Sequence, residues 1–231
     1  MEYAPMIIDG ILLGIILLSA IKAYSNGFFA SGVTLVGDIA GVIIAWFVSK
    51  KYSGVLFDYF FRDNLVDQTF EYIQNSTKAI DLQAMAQGVI GKLPQELLQE
   101  FISKAQAVVQ DITTPTIETA SALVDALLGP IIITFIAAAM FVIIIMLCKL
   151  VTVMLANLLK IVNHIPVLGF ANRLAGFFVG IGIGGVNIIL ISFLLSIIAI
   201  ITGNSIELFN SSVLAQSKIL AMTRGINPFL I

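Results

Sequence analysis

Asp9 and Asp38 are the residues whose placement asks for chemistry. Each interrupts an apolar run, Ile7-Ile8-Asp9-Gly10-Ile11-Leu12 in one case and Leu35-Val36-Gly37-Asp38-Ile39-Ala40 in the other. A charge in hydrocarbon costs about 3 kcal/mol on insertion scales. A carboxylate kept there is expected to serve a proton or ion path, or to bond a neighbouring helix. Asp9 lies about four residues inside its run, roughly 6 Å at 1.5 Å per residue, and is expected to reach the interface. Asp38 stands about a dozen residues before Lys50, near mid-bilayer, where it cannot snorkel. Asn187 is a third polar residue in apolar surroundings. Asp38 facing a water-accessible cavity would favour transport; Asp38 bonded to a neighbouring helix would favour a structural role.

Other reactive types give little. His164, the single histidine, excludes two-histidine zinc motifs, and Cys148, the single cysteine, excludes an intrachain disulfide. Gly180-Ile181-Gly182-Ile183-Gly184-Gly185 matches G-x-G-x-x-G, but no strand precedes it, so no dinucleotide site is expected. There is no HExxH, no GxSxG and no pair of catalytic carboxylates on one helix face. An enzyme is not expected, nor a cofactor.

The elements that position these residues follow from composition. The 231 residues are 59% hydrophobic and 11% charged, against about 25% charged in a typical soluble domain, and mean hydropathy is +1.04. Too few polar residues are present to coat a soluble core. The formal charge of −2 offers no basic face to nucleic acid. The expected fold is therefore all-α, a polytopic membrane protein with four transmembrane helices, the lipid bilayer being its first partner.

The spans run from about Pro5 to Ala23, Phe29 to Val48, Pro130 to Leu147 and Leu174 to Ile201, each near the roughly 20 residues a bilayer needs. The apolar run Leu150 to Leu159 either continues the third helix or lies along the interface. The first span lacks a basic n-region and a small-residue cleavage site, and is expected to be retained. The domain organisation is then residues 1–49 with two spans, 50–129 as a helical extramembrane segment, 130–202 with two spans joined by a short basic connection, and 203–231 as a tail. Lys22 in the first short loop, with Lys149, Lys160 and Arg173 in the second, places those loops inside and both termini and the middle segment outside. Lys50 and Lys51 count the other way.

The middle segment reads as amphipathic helices. Val55, Tyr59, Val66, Phe70 and Ile73 recur at helical spacing, as do Ile117, Ala120, Leu123, Val124 and Leu127. Thr114-Pro115 reads as a helix start. Leu82 to Leu93 and Leu97 to Ile112 repeat the pattern. Such faces cap the span helices or dock an extracytoplasmic protein.

Small residues recur every fourth position: Gly10 and Gly14, then Gly37 and Gly41, then Gly176, Gly180 and Gly184 with Asn187 continuing the face. Glycine lets helix backbones approach closely in lipid, so all seven are expected at helix contacts, within the chain or with a second copy in a homo-oligomer. Gly182 and Gly185 would permit local helix opening. Arg173 at the base of the fourth span is expected to anchor to headgroups or close an ion pair.

Two stretches together resemble the colicin V production protein family (CvpA) of small bacterial inner-membrane proteins. One is Ile8-Asp9 opening an apolar helix, with Gly27-Phe28 heading the next. The other is Asn172-Arg173-Leu174-Ala175-Gly176 leading into Gly180 and Gly184, with Pro166-Val167-Leu168-Gly169 upstream. Asn26, Ala30 and Ser31 stand where family members often carry charges, and the middle segment is long for the family. The resemblance implies a multi-pass protein of the cytoplasmic membrane that supports toxin production, export or envelope homeostasis without catalysis. The residues alone leave one alternative open, a small channel or transporter using Asp38, with Asp9 and Asn187 along the path.

Overall fold

The computed structural model describes residues 3–75, 102–103, 106, 116–159, 168–202 and 206–225. All regular structure among them is helical. The helices are α1 (Ala4–Asn26), α2 (Phe28–Phe57), α3 (Asp63–Asn75), α4 (Ile117–Leu123), α5 (Gly129–Leu159), α6 (Leu168–Thr202), α7 (Ser211–Gln216) and α8 (Lys218–Ala221). One π-helical turn, Asp58–Arg62, joins α2 to α3, and another, Val124–Leu128, joins α4 to α5. Four continuous helical stretches are long and apolar enough to cross a membrane: Ala4–Asn26, Phe28–Asn75, Ile117–Leu159 and Gly169–Ala199. The protein is an all-α, multi-pass membrane protein.

These stretches overrun the limits read from hydropathy. Helix α2 does not stop at Val48; it passes through Lys50 and Lys51. Helix α5 takes in Leu150 to Leu159, so that run continues the third span. Hydropathy falls where charges begin, but the backbone has no reason to leave the helix there, since neither Gly nor Pro interrupts Lys50-Lys51-Tyr52.

The chain forms two compact units. The first contains α1, α2 up to Trp46, α5 from Val142, α6 to Ala199, and the tail. Helices α1 and α2 are separated by Gly27 alone, at φ 81°. That backbone region is open to glycine and strained for other residues. The Gly27 N–H bonds the Ala23 carbonyl at 2.9 Å, and the Ser31 hydroxyl donates to the same carbonyl at 3.1 Å. Carbonyls at the end of α1 are thereby satisfied inside the turn. The first "short loop" is thus one residue, and Lys22 belongs to α1.

Glycines set two antiparallel contacts in this unit. A Cβ on Gly176 would stand 2.5 Å from the Ala23 carbonyl oxygen, on Gly180 2.6 Å from the Ala20 Cα, and on Gly184 2.7 Å from the Ile16 Cα. Helix α6 therefore lies backbone to backbone along α1. On α2, Gly37 faces the Thr152 side chain, and a Cβ on Gly41 would meet the Cys148 Cβ at 3.0 Å, so α2 lies along α5. Five of the seven expected glycines sit at helix contacts. Gly10 and Gly14 make no such contact within the chain, nothing lying within 4 Å of a Cβ at either, which leaves a second copy as the partner that could meet them. The α1 side of the contact is made instead by Ala20 and Ala23, each nearly without exposure. Alanine is small enough for that role, so the intrachain face of α1 is not the one that glycine marks.

The tail folds back onto this unit. Leu214 of α7 and Leu220 of α8 join Ile8, Leu12, Ile188 and Ala199 in a buried cluster. The Thr223 hydroxyl donates to Ser192 at 2.7 Å.

The second unit runs from Phe47 to Phe141 with residues 200–203. Its core joins Phe57, Leu65, Val66 and Ile73 to Ala120, Leu123, Val124, Leu127 and Leu128. The expected amphipathic face is present in α3, but Val55 and Tyr59 are off it, 59% and 81% exposed. The π turn, which contains Tyr59 and separates Val55 from Val66, widens the helix there and rotates the face. Ile117 also points outward. Helix α4 starts at a capping box, the Thr119 N–H donating to Thr116 Oγ1 at 3.2 Å and the Thr116 N–H to Thr119 Oγ1 at 2.9 Å. The cap of α4 is Thr116; Thr114, Pro115 and the expected helices from Leu82 to Leu93 and Leu97 to Ile112 lie outside the described residues, Ile102, Ser103 and Gln106 excepted. Arg62 grips Asp125 through two bonds, Nε to Oδ1 at 3.0 Å and Nη2 to Oδ2 at 2.8 Å, and Nη2 also donates to Ser121 at 2.7 Å. The grip ties one π turn to the other.

Candidate functional site

The four helices of the first unit each give one polar side chain to a common node. Ser19 comes from α1, Asp38 from α2, Lys149 from α5 and Asn187 from α6. The Lys149 ammonium donates to Asp38 Oδ1 and Oδ2, both at 3.2 Å, and to Asn187 Oδ1 at 3.2 Å. Asn187 Nδ2 donates to Ser19 Oγ at 3.4 Å. An ammonium has three protons and no acceptor, so these contacts employ its full donor capacity.

Local sequence explains why the four meet. Asp38 follows Gly37, and Lys149 follows Cys148; the α2–α5 contact at Gly37–Thr152 and Gly41–Cys148 puts the two charges on facing helices at one level. Asp38 stands ten residues from the start of α2 and Lys149 ten from the end of α5, about 15 Å along each axis, half the thickness of a bilayer core. Asn187 continues the α6 glycine face by one turn beyond Gly184, which brings it to the α1 side and to Ser19.

Burial is unequal. The Asp38 side chain is 3% exposed and that of Lys149 39%. The difference is made by a cleft of about 500 Å³ lined by Ser19, Thr34, Asp38, Lys149, Thr152 and Asn187 among others. Its lining follows α1 from Ile15 to Asn26, the last residue of that helix, and reaches Asn157 near the end of α5. Lys22 lines it closer to the helix ends. The cleft therefore runs from the helix ends to the ion pair, about a third of the way along α2 and α5. Its two lysines face one carboxylate, so its charge is positive.

Asp9 is not part of this node. It accepts from the Ser217 hydroxyl at 2.5 Å and from the N–H groups of Lys218 and Ile219 at 3.1 and 3.2 Å. Ser217 Oγ in turn accepts from the Leu220 N–H at 3.1 Å. Asp9 thus satisfies the exposed N–H groups at the start of α8 and holds the tail against α1. Held against the tail, Asp9 does not join Asp38 at the node; it is half-buried there, compatible with the expected place near the interface. Arg173 is exposed in the second turn of α6, with no ion pair among the described residues. Asn172 beside it is buried and accepts from the Phe29 N–H at 3.3 Å. Gly182 meets Leu35 at ordinary contact distance, and Gly185 faces open space.

Lys149 is the member of the node whose place differs from the sequence expectation. It was expected in a basic loop, yet it is ten residues inside α5. The signal was its setting, with Ile143 to Leu147 before it and Leu150 to Leu159 after it: a lysine with apolar residues on both sides is inside a span, not at its edge. His164 and Lys160 lie outside the described residues. The chain matches no family model, no curated protein and no solved structure, so its function has to be read from this geometry.

Proposed function

We propose that the protein is a bacterial cytoplasmic-membrane protein of the colicin V production type, which supports toxin production, export or envelope homeostasis without catalysing a reaction. The observation that carries this reading is that the two stretches behind the resemblance, far apart in sequence, meet. Gly176 lies against Gly27, and Asn172 bonds the backbone of Phe29. Helix packing through the α6 glycines is the physical basis of the role, with lipid, an extracytoplasmic protein or a second copy as partners. The test is a deletion strain of a bacterium that secretes a peptide toxin. Reduced toxin release or detergent sensitivity is expected, restored by the wild-type chain and by Gly10→Leu but not by Gly180→Leu. A deletion strain with normal toxin release and an intact envelope overturns the reading.

A second reading, a small channel or transporter, is favoured by one observation: the cleft ends on a buried ion pair at mid-span. Intramembrane charges that pair and line cavities mark substrate paths in transporters. In proteoliposomes this reading expects an ion or solute flux that Asp38→Asn changes. An absent flux, or one unchanged by Asp38→Asn, removes it.

A further inference from the structure

The unequal exposure of the ion pair decides the sign of what the cleft can take. A solute entering from the helix ends passes Lys22 and then meets the Lys149 ammonium, whose side chain is 39% exposed. The Asp38 carboxylate, 3% exposed, stands behind it. A cation would be repelled by both lysines before reaching its counter-charge. An anion would be drawn by both. The contacts of Lys149 are also long. Ammonium–carboxylate bonds run at about 2.8 Å, whereas both contacts to Asp38 are 3.2 Å, no shorter than the one to the Asn187 amide oxygen. The ammonium is shared between Asp38 and Asn187, with tight contact to neither.

The walls specify the rest of the ligand. Ile15, Leu18, Val153, Ala156 and Ile183 line the cleft around the polar node. A volume of about 500 Å³ lies within the range of small-molecule sites, which are mostly apolar with a few converging polar groups. A fully hydrated inorganic anion would leave those walls uncovered. A short hydrocarbon body ending in one carboxylate would cover them and present its charge to Lys149.

We propose that the cleft binds a small organic monocarboxylate, whose carboxylate competes with Asp38 for the Lys149 ammonium. Asp38 thereby acts as a built-in surrogate for the ligand. It neutralises Lys149 while the cleft is empty, and it cedes one of its two contacts with the ammonium when the solute arrives. The Ser19–Asn187 bond holds the Asn187 amide in place, so that Oδ1 keeps one Lys149 proton in either state.

The inference rests on the channel or transporter reading, and binding separates the two. The full-length protein in detergent micelles is titrated with butyrate and with benzoate, with inorganic phosphate and ethylammonium as controls, and the melting temperature is followed, since a ligand of the folded state raises it in a saturable way. Butyrate or benzoate is expected to saturate and the controls are not. Lys149→Gln should weaken binding by about tenfold or more, as loss of a charged partner does. Asp38→Asn should strengthen it severalfold, because the competitor is gone. The second variant is the decisive one, since misfolding produces no tighter binding. Absence of saturable monocarboxylate binding overturns the proposal, as does preference for ethylammonium, equal binding of phosphate, or weaker binding by Asp38→Asn. Monocarboxylate binding without flux in proteoliposomes leaves the proposal standing and removes transport.

Discussion

Breaking the Asp38–Lys149 pair from its two ends should have unequal consequences. Lys149→Met removes the ammonium and keeps most of the stem. It leaves a carboxylate that is 3% exposed and has lost both contacts to its cation. Removing one partner of a buried pair costs about 3–5 kcal/mol, because the remaining charge is uncompensated. Asp38→Asn leaves Lys149 with 39% of its side chain exposed in the cleft, still bonded to Asn187 at 3.2 Å. That loss is nearer an ordinary hydrogen-bond deletion, about 1–2 kcal/mol. In the double variant the buried charge is absent, so the sum should fall short of additivity by about 2 kcal/mol, within the range of couplings between contacting residues. Reversible unfolding in mixed micelles, read from the fluorescence of Trp46, the single tryptophan, measures all three. A cost for Asp38→Asn equal to or above that for Lys149→Met, or additivity within about 0.5 kcal/mol, would refute the argument from exposure.

Three further outcomes are expected. Gly180→Leu should destabilise by about 3 kcal/mol or prevent folding, because its Cβ would stand 2.6 Å from the Ala20 Cα and overpacking costs about 1–3 kcal/mol even when backbone can shift; Gly10→Leu, in open space, should stay within about 0.5 kcal/mol in the same unfolding assay. Asp9→Ala should release the start of α8, seen as faster tryptic cleavage after Lys218 and Arg224, with cleavage after Lys149 unchanged. Arg62→Met should cost about 1 kcal/mol or less, since its pair with Asp125 is 33% and 49% exposed; unfolding at low and high salt checks it, and the difference from wild type should shrink as salt rises.

Hydropathy made the four spans legible because lipid imposes one demand on all of them, a long apolar helix. The glycine contacts were legible on α6 because close approach leaves a compositional mark every fourth residue. The intrachain contact of α1 was not legible, because alanine serves there as well as glycine and leaves no comparable mark. The node was half legible. Asp38 and Asn187 stand out as polar residues in apolar runs, but Lys149 was hidden by its neighbours, since a lysine after a long apolar run looks like the end of a span. Asp9 was legible as an intramembrane carboxylate but not in its partner, because a bond between residues 9 and 217 has no signature in local spacing. The π turns carried no signal either, and the one at Asp58–Arg62 takes Val55 and Tyr59 off the face that simple helical periodicity assigns to them.

The distance in sequence between the paired charges bears on biogenesis. Asp38 and Lys149 are 111 residues apart. At ribosomal speeds of about 5–20 residues per second, Asp38 is made roughly 5–20 s before its counter-ion. During that interval the nascent hairpin of α1 and α2 carries an uncompensated carboxylate, and its residence in the bilayer is marginal until α5 arrives. Chains truncated before residue 149 should therefore be ready targets for membrane proteases, which would couple survival of the first hairpin to completion of the second.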